Sequence, residues 1–379
     1  MRALVVTGPN TLEVQELPEP RPGPYEVQVE MLACAFCNGT DRHLVEGTFP
    51  YSPPFPFVLG HESVGRVRAL GPRVRYLCEG DVVLRPQALL DDVIALGWGG
   101  FADVGIAVDY RALVEDGAPL PRPCSATMHQ VVPPGIPPAE ATILITLKEV
   151  ASALRATLAD GDGPGPRQWD GQLARRGGGG HPTDRLAAGP TGPLSGQSVA
   201  VLGSGPVGFA FAECARLLGA GPIVVVGRRE ERLKLAAAFG ADATVNSSAE
   251  DVAGAIRAAT DGAGAALVVD AVGDRSLVEL GLRCVRHGGR VGMYGVPPIP
   301  GEEIARLDLS LAGAPGNWSL MSINPDEPST HELVCGWVRE GKVELGKYVS
   351  GVVPLEEAVA GYERVVSGEV LKVVLALDG

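Results

Sequence analysis

A cysteine, a threonine, an aspartate and a histidine occur together in the stretch Cys37–His43, and His61 and Glu62 follow shortly afterwards. Thiolate, imidazole and carboxylate groups are the ligands that zinc takes in proteins. The hydroxyl of Thr40 and the imidazole of His43 are groups that can pass a proton. Because isolated cysteines and histidines are more often packing or surface residues, the elements around them decide the prediction.

Two kinds of element follow each other along the chain. The first 115 residues are mainly short, partly alternating apolar runs broken by Gly and Pro, which is typical of β-strands. Residues 138–158 have helical periodicity, and from residue 197 strands alternate with helices, which predicts a doubly wound parallel sheet. We therefore predict an α/β protein with a β-rich domain, residues 1–158 and 330–379, and a dinucleotide-binding domain, residues 195–329.

Residues 159–194 differ in composition from both domains. This segment is rich in Gly, Pro and Arg, contains four consecutive glycines and has little apolar periodicity. Such a composition is typical of a mobile connection, so we predict an inserted loop or linker.

Charge and cysteine usage narrow the class of partner. The net charge of −13 disfavours nucleic acid and anionic membranes, because no broad basic surface can be built. Seven cysteines at irregular spacing do not form a disulfide framework. The N-terminus lacks the apolar core of a signal peptide, and no apolar run is long enough to span a membrane. We predict a cytoplasmic protein that acts on a small molecule.

A glycine-rich turn follows the first strand of the alternating region. The stretch "VAVLGSGPVG" places a G-x-G-x-x-G pattern between an apolar strand and a helix, the context in which this pattern binds a dinucleotide. Its glycines permit a tight turn, close approach of a pyrophosphate and close packing of the helix. The predicted cofactor-binding residues are Gly203, Ser204, Gly205, Pro206, Val207 and Gly208.

The end of the next strand indicates which dinucleotide binds. NAD-binding units usually have an acidic residue there, whereas this chain has Gly227 followed by Arg228 and Arg229. Glycine leaves room for a 2′-phosphate, and guanidinium groups suit phosphate by charge and geometry. We predict NADP(H), although both arginines could instead be a solvated helix start paired with neighbouring glutamates.

These motifs together resemble the zinc-type medium-chain dehydrogenase/reductase family of alcohol and polyol dehydrogenases. The matching stretches are "CNGTDRH", "GHESVG", "GGFADV", "VLGSGPVG", "VVDAVG" and "HGGRVGMYGVP". The resemblance implies a GroES-like catalytic domain and a Rossmann domain, and hydride transfer between a nicotinamide and a carbon bearing a hydroxyl. It also implies a zinc ion that polarises the substrate oxygen, and a homodimer or homotetramer.

The resemblance also implies roles for individual residues. Cys37 and His61 match the family's metal ligands, and Glu62 lies at or beside the metal. Thr40 and His43 resemble the residues that carry the substrate proton toward solvent. Asp41, next to Thr40, would orient His61.

The chain departs from the family pattern in three places. One extra residue separates Cys37 from Thr40, so the reach of Thr40 changes. Residues 84–100 contain no cysteine, so we predict no structural zinc. Lys148 occupies the position of the usual third ligand, and a protonated lysine cannot bind zinc.

Three interpretations of Lys148 stay open. Zinc is held by Cys37, His61 and Glu62. Alternatively, Glu149 supplies a ligand after a local shift of the helix. In the third interpretation the metal is lost, and Lys148 becomes a catalytic residue whose positive charge stabilises a developing oxyanion.

The sequence therefore predicts an NADP(H)-dependent oxidoreductase that interconverts a secondary alcohol, such as a sugar, cyclitol or polyol, and a ketone with the help of zinc. One alternative is a metal-independent NADPH-dependent reductase of an enone, imine or ketone that uses Lys148 or Thr40. Another is a dinucleotide-binding protein that has lost catalysis.

Overall fold

A computed structural model of the chain describes residues 1–50, 52–90, 94–120, 125–158, 192–295, 308 and 317–377. Most of the predicted insert, residues 159–194, lies outside this described part. The chain divides into two compact units. The first takes in Met1–Thr146 and the segment from His331 onward, and the second takes in the described residues from Leu147 to Thr330.

The N-terminal part of the chain is mainly β-structure. Its strands are β1 Arg2–Gly8, β2 Thr11–Glu16, β3 Glu26–Ala35, β4 Phe57–Val58, β5 Glu62–Leu70, β6 Val82–Leu84, β7 Ala95–Leu96 and β8 Val104–Val108. Its helices are α1 Thr40–Glu46, α2 Tyr110–Glu115 and α3 Pro138–Ala156. The long helix α3 agrees with the periodicity of residues 138–158.

The middle of the chain alternates strands with helices. The strands are β9 Val199–Leu202, β10 Ile223–Gly227, β11 Ala243–Asn246, β12 Ala265–Asp270, β13 Val285–Met293 and β14 Ser319–Ser322. The helices are α4 Pro206–Leu217, α5 Glu230–Leu233, α6 Val252–Ala259 and α7 Arg275–Cys284.

The C-terminal segment returns to the first unit. It contains α8 His331–Arg339, β15 Val349–Pro354, α9 Ala358–Val366 and β16 Lys372–Ala376. Short 3₁₀ turns in the described residues are Ala126–Met128, Ala236–Phe239, Glu327–Thr330, Leu345–Tyr348 and Leu355–Glu357.

The sheets of the first unit are mostly antiparallel. One sheet has the strand order β2-β1-β4-β7, and a larger one has the order β15-β16-β3-β5-β6, with β8 also paired to β3. The long strand β3 is central because it pairs with β16 and β5, and its apolar residues Val29 and Met31 are buried in the same core cluster as Leu4 and Phe57. Burial of such side chains contributes roughly 1.5–3 kcal/mol each to stability.

The sheet of the second unit is parallel throughout, with the order β11-β10-β9-β12-β13-β14. Every residue of β9, β10 and β12 is buried, as expected for strands covered on both faces. This strand order is that of a dinucleotide-binding Rossmann sheet, whose topological switch point lies between β9 and β12. The predicted α/β fold class, a GroES-like β-rich domain with a Rossmann domain, is confirmed.

The boundary between the units falls inside α3, after Thr146. The predicted domain boundary, at residue 158, marks the end of the helical pattern instead. Contacts within the second unit account for the difference, because Ser152 accepts a hydrogen bond from the Asp326 N–H at 3.0 Å and the Thr330 hydroxyl donates to the Lys148 carbonyl at 2.8 Å. No helix in the described part of the chain is long and apolar enough to cross a membrane.

Candidate active site

Strand pairing brings the candidate metal ligands together. Cys37 follows the end of β3, and Glu62 is the first residue of β5. The two strands are antiparallel, and Ala35 lies directly opposite Glu62 in the ladder. The end of one strand and the start of the next therefore meet at the same place in the sheet.

The three side chains form one cluster. The Cys37 thiol, an imidazole nitrogen of His61 and a carboxylate oxygen of Glu62 lie within 4.8 Å of one another. His61 and Glu62 are buried, whereas Cys37 is half-buried. Three donors of these types, with one side partly open, are the arrangement of a catalytic zinc site.

Asp41, in the first turn of α1, forms hydrogen bonds to two of the three residues in this cluster. One of its carboxylate oxygens accepts the Cys37 N–H at 2.8 Å, and the other lies 3.0 Å from Nδ1 of His61. Because an ionised carboxylate only accepts, Nδ1 carries a hydrogen, and Nε2 becomes available to a ligand once it has lost its own proton. Burial lowers the pKa of His61, but the charge and hydrogen bond of Asp41, with Cys37 nearby, outweigh it and raise the pKa well above its usual value.

Glu62 is held by two residues that the sequence did not single out. The Thr146 hydroxyl donates to one carboxylate oxygen at 3.1 Å, and the Lys372 ammonium forms a buried ion pair with the other. Lys372 also donates to the Phe36 carbonyl at 3.4 Å. Burial lowers the pKa of Lys372, whereas Glu62 and then Cys37 raise it, and the net shift is upward.

A signal for Lys372 was present in the sequence. The closing strand "LKVVLAL" is apolar apart from this lysine, and a lysine is almost never fully buried unless it is paired. Its partner, Glu62, could not be identified from the sequence because the two residues are 310 positions apart.

The predicted proton-relay residues lie on α1. Thr40 and His43 are three positions apart and therefore share a face of the helix. His43 is buried, and its Nδ1 lies 2.9 Å from the Thr48 hydroxyl. Burial is the main cause that lowers the pKa of His43, and the positive charge of Arg42 lowers it further. The negative charge of Glu46 opposes this shift but does not cancel it.

Lys148 and Glu149 have partners in the second unit. The fully buried Lys148 ammonium lies 2.8 Å from a carboxylate oxygen of Glu327, and the Tyr294 hydroxyl lies 3.3 Å from Glu149. Within the described residues, the metal-ligand cluster contains neither Lys148 nor Glu149.

The glycine-rich turn has the geometry of a phosphate cradle. Gly203 follows β9 and has φ +131°, and Gly205 precedes α4, which begins at Pro206. A Cβ on Gly208 would lie only 2.0 Å from the Gly203 carbonyl oxygen, so a side chain there is excluded. The helix N-terminus, with its free N–H groups, therefore lies close against the turn.

The end of β10 also fits the sequence prediction in shape. A Cβ on Gly227 would lie 2.3 Å from the Ser204 hydroxyl oxygen, so a larger residue would displace Ser204. Arg228 and Arg229 are exposed directly beyond it. Arg232, one turn further, is buried, and burial followed by the charge of Arg229 lowers its pKa. The sequence analysis did not predict Arg232 as a cofactor-binding residue, because an arginine at this position of a helix is common and belongs to no motif.

Comparison with known proteins agrees with this fold and site. Residues 23–116 match the alcohol dehydrogenase GroES-like domain, and residues 206–314 match the zinc-binding dehydrogenase domain, together more than half of the chain. A probable zinc-binding alcohol dehydrogenase of Mycobacterium tuberculosis is 29% identical over 388 residues, covering 100% of this chain and 89% of the relative. An L-threonine 3-dehydrogenase of Symbiobacterium thermophilum is 27% identical over 391 residues, covering 100% and 98%.

A solved structure extends the comparison to the fold. The alcohol dehydrogenase TADH from Thermus sp. ATN1 has a TM-score of 0.73 and 27% identity, with 99% of each chain covered. Fold and site thus define an oxidoreductase of the alcohol dehydrogenase type. The chain belongs to the zinc-type medium-chain dehydrogenase/reductase family.

Proposed function

We propose that this protein is an NADP(H)-dependent oxidoreductase that interconverts a secondary alcohol and a ketone, with zinc held by Cys37, His61 and Glu62. The observation that carries the proposal is the clustering of these three donors within 4.8 Å. A sugar, cyclitol or other polyol is the proposed substrate class, on the strength of the family resemblance.

The donor set fits zinc in its chemistry and its support. One thiolate, one imidazole and one carboxylate give three protein ligands, the number that a catalytic zinc site uses. The Asp41 carboxylate fixes the orientation of the His61 ring. A carboxylate is a usual hydrogen-bond partner for the second ring nitrogen of a zinc-bound histidine. Thr146 and Lys372 hold the Glu62 carboxylate in place, and a bound zinc ion would share its charge with the Lys372 ammonium.

When bound, zinc supplies a Lewis acid toward the substrate oxygen, and the nicotinamide gives or takes the hydride. The protein's own residues supply position and proton transfer. Thr40 and His43, on one face of α1, are the proposed path of the hydroxyl proton, and the lowered pKa of His43 keeps its imidazole ready to accept one.

The proposed preference for NADP(H) is supported by Gly227, Arg228 and Arg229. The contact between the Gly227 position and Ser204 disfavours the acidic residue that would bond a ribose 2′-hydroxyl. The two exposed guanidinium groups beyond it suit a 2′-phosphate.

No observation favours the metal-independent alternative. It needs the Lys148 charge at the reacting oxygen, and that charge is compensated by Glu327 at 2.8 Å. A neutralised pair supplies little net field to a developing oxyanion.

The metal content of the purified protein tests the proposal. Wild-type protein, Cys37→Ala and the exposed control Cys78→Ala are compared by mass spectrometry and by turnover with NADPH and a panel of ketones. We expect close to one zinc per chain in wild type and in Cys78→Ala, and loss of zinc and turnover in Cys37→Ala. Full zinc occupancy in Cys37→Ala would refute the proposed ligand set.

A homodimer or homotetramer is proposed from the same resemblance, and a cytoplasmic location is proposed from the cysteine usage. Light scattering of the eluted protein measures the assembly, and a monomer at micromolar concentration would overturn this part.

A further inference from the structure

Arg85 combines an unusual backbone with a buried charge. It directly follows β6, has φ +56° and exposes 3% of its surface. The left-handed region is rarely adopted by residues with a β-carbon, and burial of a guanidinium is unfavourable unless it is bonded. Both costs persist only where the surrounding structure requires this residue.

Arg85 contacts the backbone on both sides of Glu62, in the segment of residues 61–63 that carries two of the candidate metal ligands. Its guanidinium donates to the His61 carbonyl at 2.7 Å, and its backbone N–H donates to the Ser63 carbonyl at 2.8 Å. Glu62 lies between these two carbonyls. The Ser63 hydroxyl in turn donates to the Pro86 carbonyl at 2.8 Å, which ties the two segments together again.

We propose that Arg85 is a positioning residue that fixes the backbone of residues 61–63, so that the His61 ring and the Glu62 carboxylate face Cys37. This inference rests on the proposed metal site. Arg85 bonds two carbonyls of this segment, one through its side chain and one through its backbone N–H, and its left-handed backbone is held in the same place. Fixing the backbone at residue 61 fixes the direction of the His61 Cα–Cβ bond, from which Asp41 then holds the ring toward Cys37.

A purely structural role predicts something different. If Arg85 only adds stability, its replacement lowers the melting temperature and leaves His61 and metal binding unchanged. Val83, in β6 and fully buried, offers a matched control, because Val83→Ala leaves a small cavity without touching residues 61–63.

The test compares wild type, Arg85→Gln, Arg85→Lys and Val83→Ala. The first readout is the Nδ1–H proton signal of His61 in protein labelled with ¹⁵N-histidine, assigned with a His61→Gln variant. This signal reports the hydrogen bond to Asp41. The second readout is the affinity for Co²⁺, measured by its absorption bands in competition with a chelator.

In Arg85→Gln we expect a broadened or absent His61 signal and roughly 10–100-fold weaker cobalt binding. This is the usual effect of removing a residue that hydrogen-bonds to a metal ligand. Arg85→Lys should recover part of both, and Val83→Ala should match wild type in both despite a lower melting temperature. If Arg85→Gln does not fold, the comparison of Arg85→Lys with Val83→Ala decides.

An Arg85 variant with the wild-type His61 signal and wild-type cobalt affinity would overturn the inference. If wild-type protein takes up no cobalt, the proposed metal site fails, and the His61 signal alone then decides whether Arg85 positions His61.

Discussion

Two buried lysine–glutamate pairs occupy different regions of this protein and have different neighbours. In the first unit, Lys372 pairs with Glu62, beside the Cys37 thiol and the His61 imidazole. In the second unit, Lys148 pairs with Glu327, beside the Thr330 hydroxyl that bonds the Lys148 carbonyl.

The difference lies in what else the glutamate can bind. Glu62 faces a thiol and an imidazole, so its carboxylate can be shared between a lysine and a metal ion. Glu327 belongs to a 3₁₀ turn packed on α3, and its pair joins two elements of one unit. A buried ion pair is therefore not a functional signal by itself, and the surrounding donors decide its role.

Replacement of Lys148 by Met should give one of the two largest effects on stability. The change leaves the Glu327 carboxylate buried without its lysine, so the free energy of unfolding should fall by about 3–5 kcal/mol. Zinc content should stay unchanged. Urea unfolding and metal analysis measure the two quantities, and the double variant Lys148→Met/Glu327→Leu is the control that should recover most of the stability. Loss of zinc in Lys148→Met would contradict the assignment of this pair to structure.

Lys372→Met sharpens the comparison at the other pair. The variant should be destabilised by a similar amount, about 3–5 kcal/mol, when a chelator is present. Added zinc should raise its melting temperature more than that of wild type, because Glu62 no longer shares its charge with an ammonium group. Scanning calorimetry with and without zinc measures this difference. Equal zinc-induced shifts in Lys372→Met and Lys148→Met would show that the two pairs are equivalent.

The exposed Arg228 and Arg229 extend the comparison from buried to solvent-accessible cations. Arg228→Ala and Arg229→Ala should each weaken NADPH binding by about 10–100-fold, since a hydrogen bond to a charged group contributes roughly 1.5–3 kcal/mol. NADH binding should change little. Fluorescence titration of both coenzymes checks this, with Arg275→Ala on α7, whose half-buried guanidinium pairs with Glu279, as control. Unchanged NADPH affinity in both arginine variants would refute the proposed coenzyme preference.

Asp270 is a buried carboxyl that accepts hydrogen bonds from the Val272 and Gly273 N–H groups, in contrast to the two lysine-paired glutamates. Burial raises its pKa to about 6, against the opposing effect of the Val272 and Gly273 N–H groups. A raised carboxyl pKa means that stability present below the unfolded value of 3.8 is lost as the pH rises through about 6. The stability of Asp270→Asn relative to wild type should therefore improve by about 2–3 kcal/mol between pH 4 and pH 8.

Thermal unfolding across this pH range measures the effect. Asp242 is the control of opposite sign, because burial raises its pKa but the Arg216 bond and the Ile223 N–H lower it further, for a net downward shift. Between pH 4 and pH 8 the stability difference between Asp242→Asn and wild type should stay nearly flat, because Asp242 is ionised in both the folded and the unfolded state there; its contribution is lost only as the pH falls below 3.8 toward the lowered folded pKa. A flat pH dependence for Asp270→Asn would contradict the raised pKa.

Local pattern predicted most of the fold. The alternation of strands and helices after residue 197 gave the parallel sheet, and the period of residues 138–158 gave α3, because these signals are contained within single elements. One helix of the alternating region is shorter than its residue pattern indicates. The segment "REERLKLAAAFGA" is helical only at Glu230–Leu233 and then forms the 3₁₀ turn Ala236–Phe239, where Phe239 stacks on Phe209 with ring centroids 4.6 Å apart.

The site was predictable only where its residues lie in motifs. Cys37, His61 and Glu62 are close to strand ends in recognisable stretches, whereas Lys372, Thr146 and Arg85 reach the site through tertiary packing. Lys148 shows the reverse case, because alignment placed it at a ligand position and its buried partner, Glu327, is 179 residues away. No local pattern encodes a pairing at such separation.

X-ray absorption at the zinc edge of the purified wild-type protein tests the central claim most directly. The account predicts close to one zinc per chain with a single sulfur ligand at about 2.3 Å and the remaining ligands nitrogen or oxygen at about 2.0–2.2 Å. Absence of zinc from protein that still binds NADPH, or a zinc shell without sulfur, would contradict it.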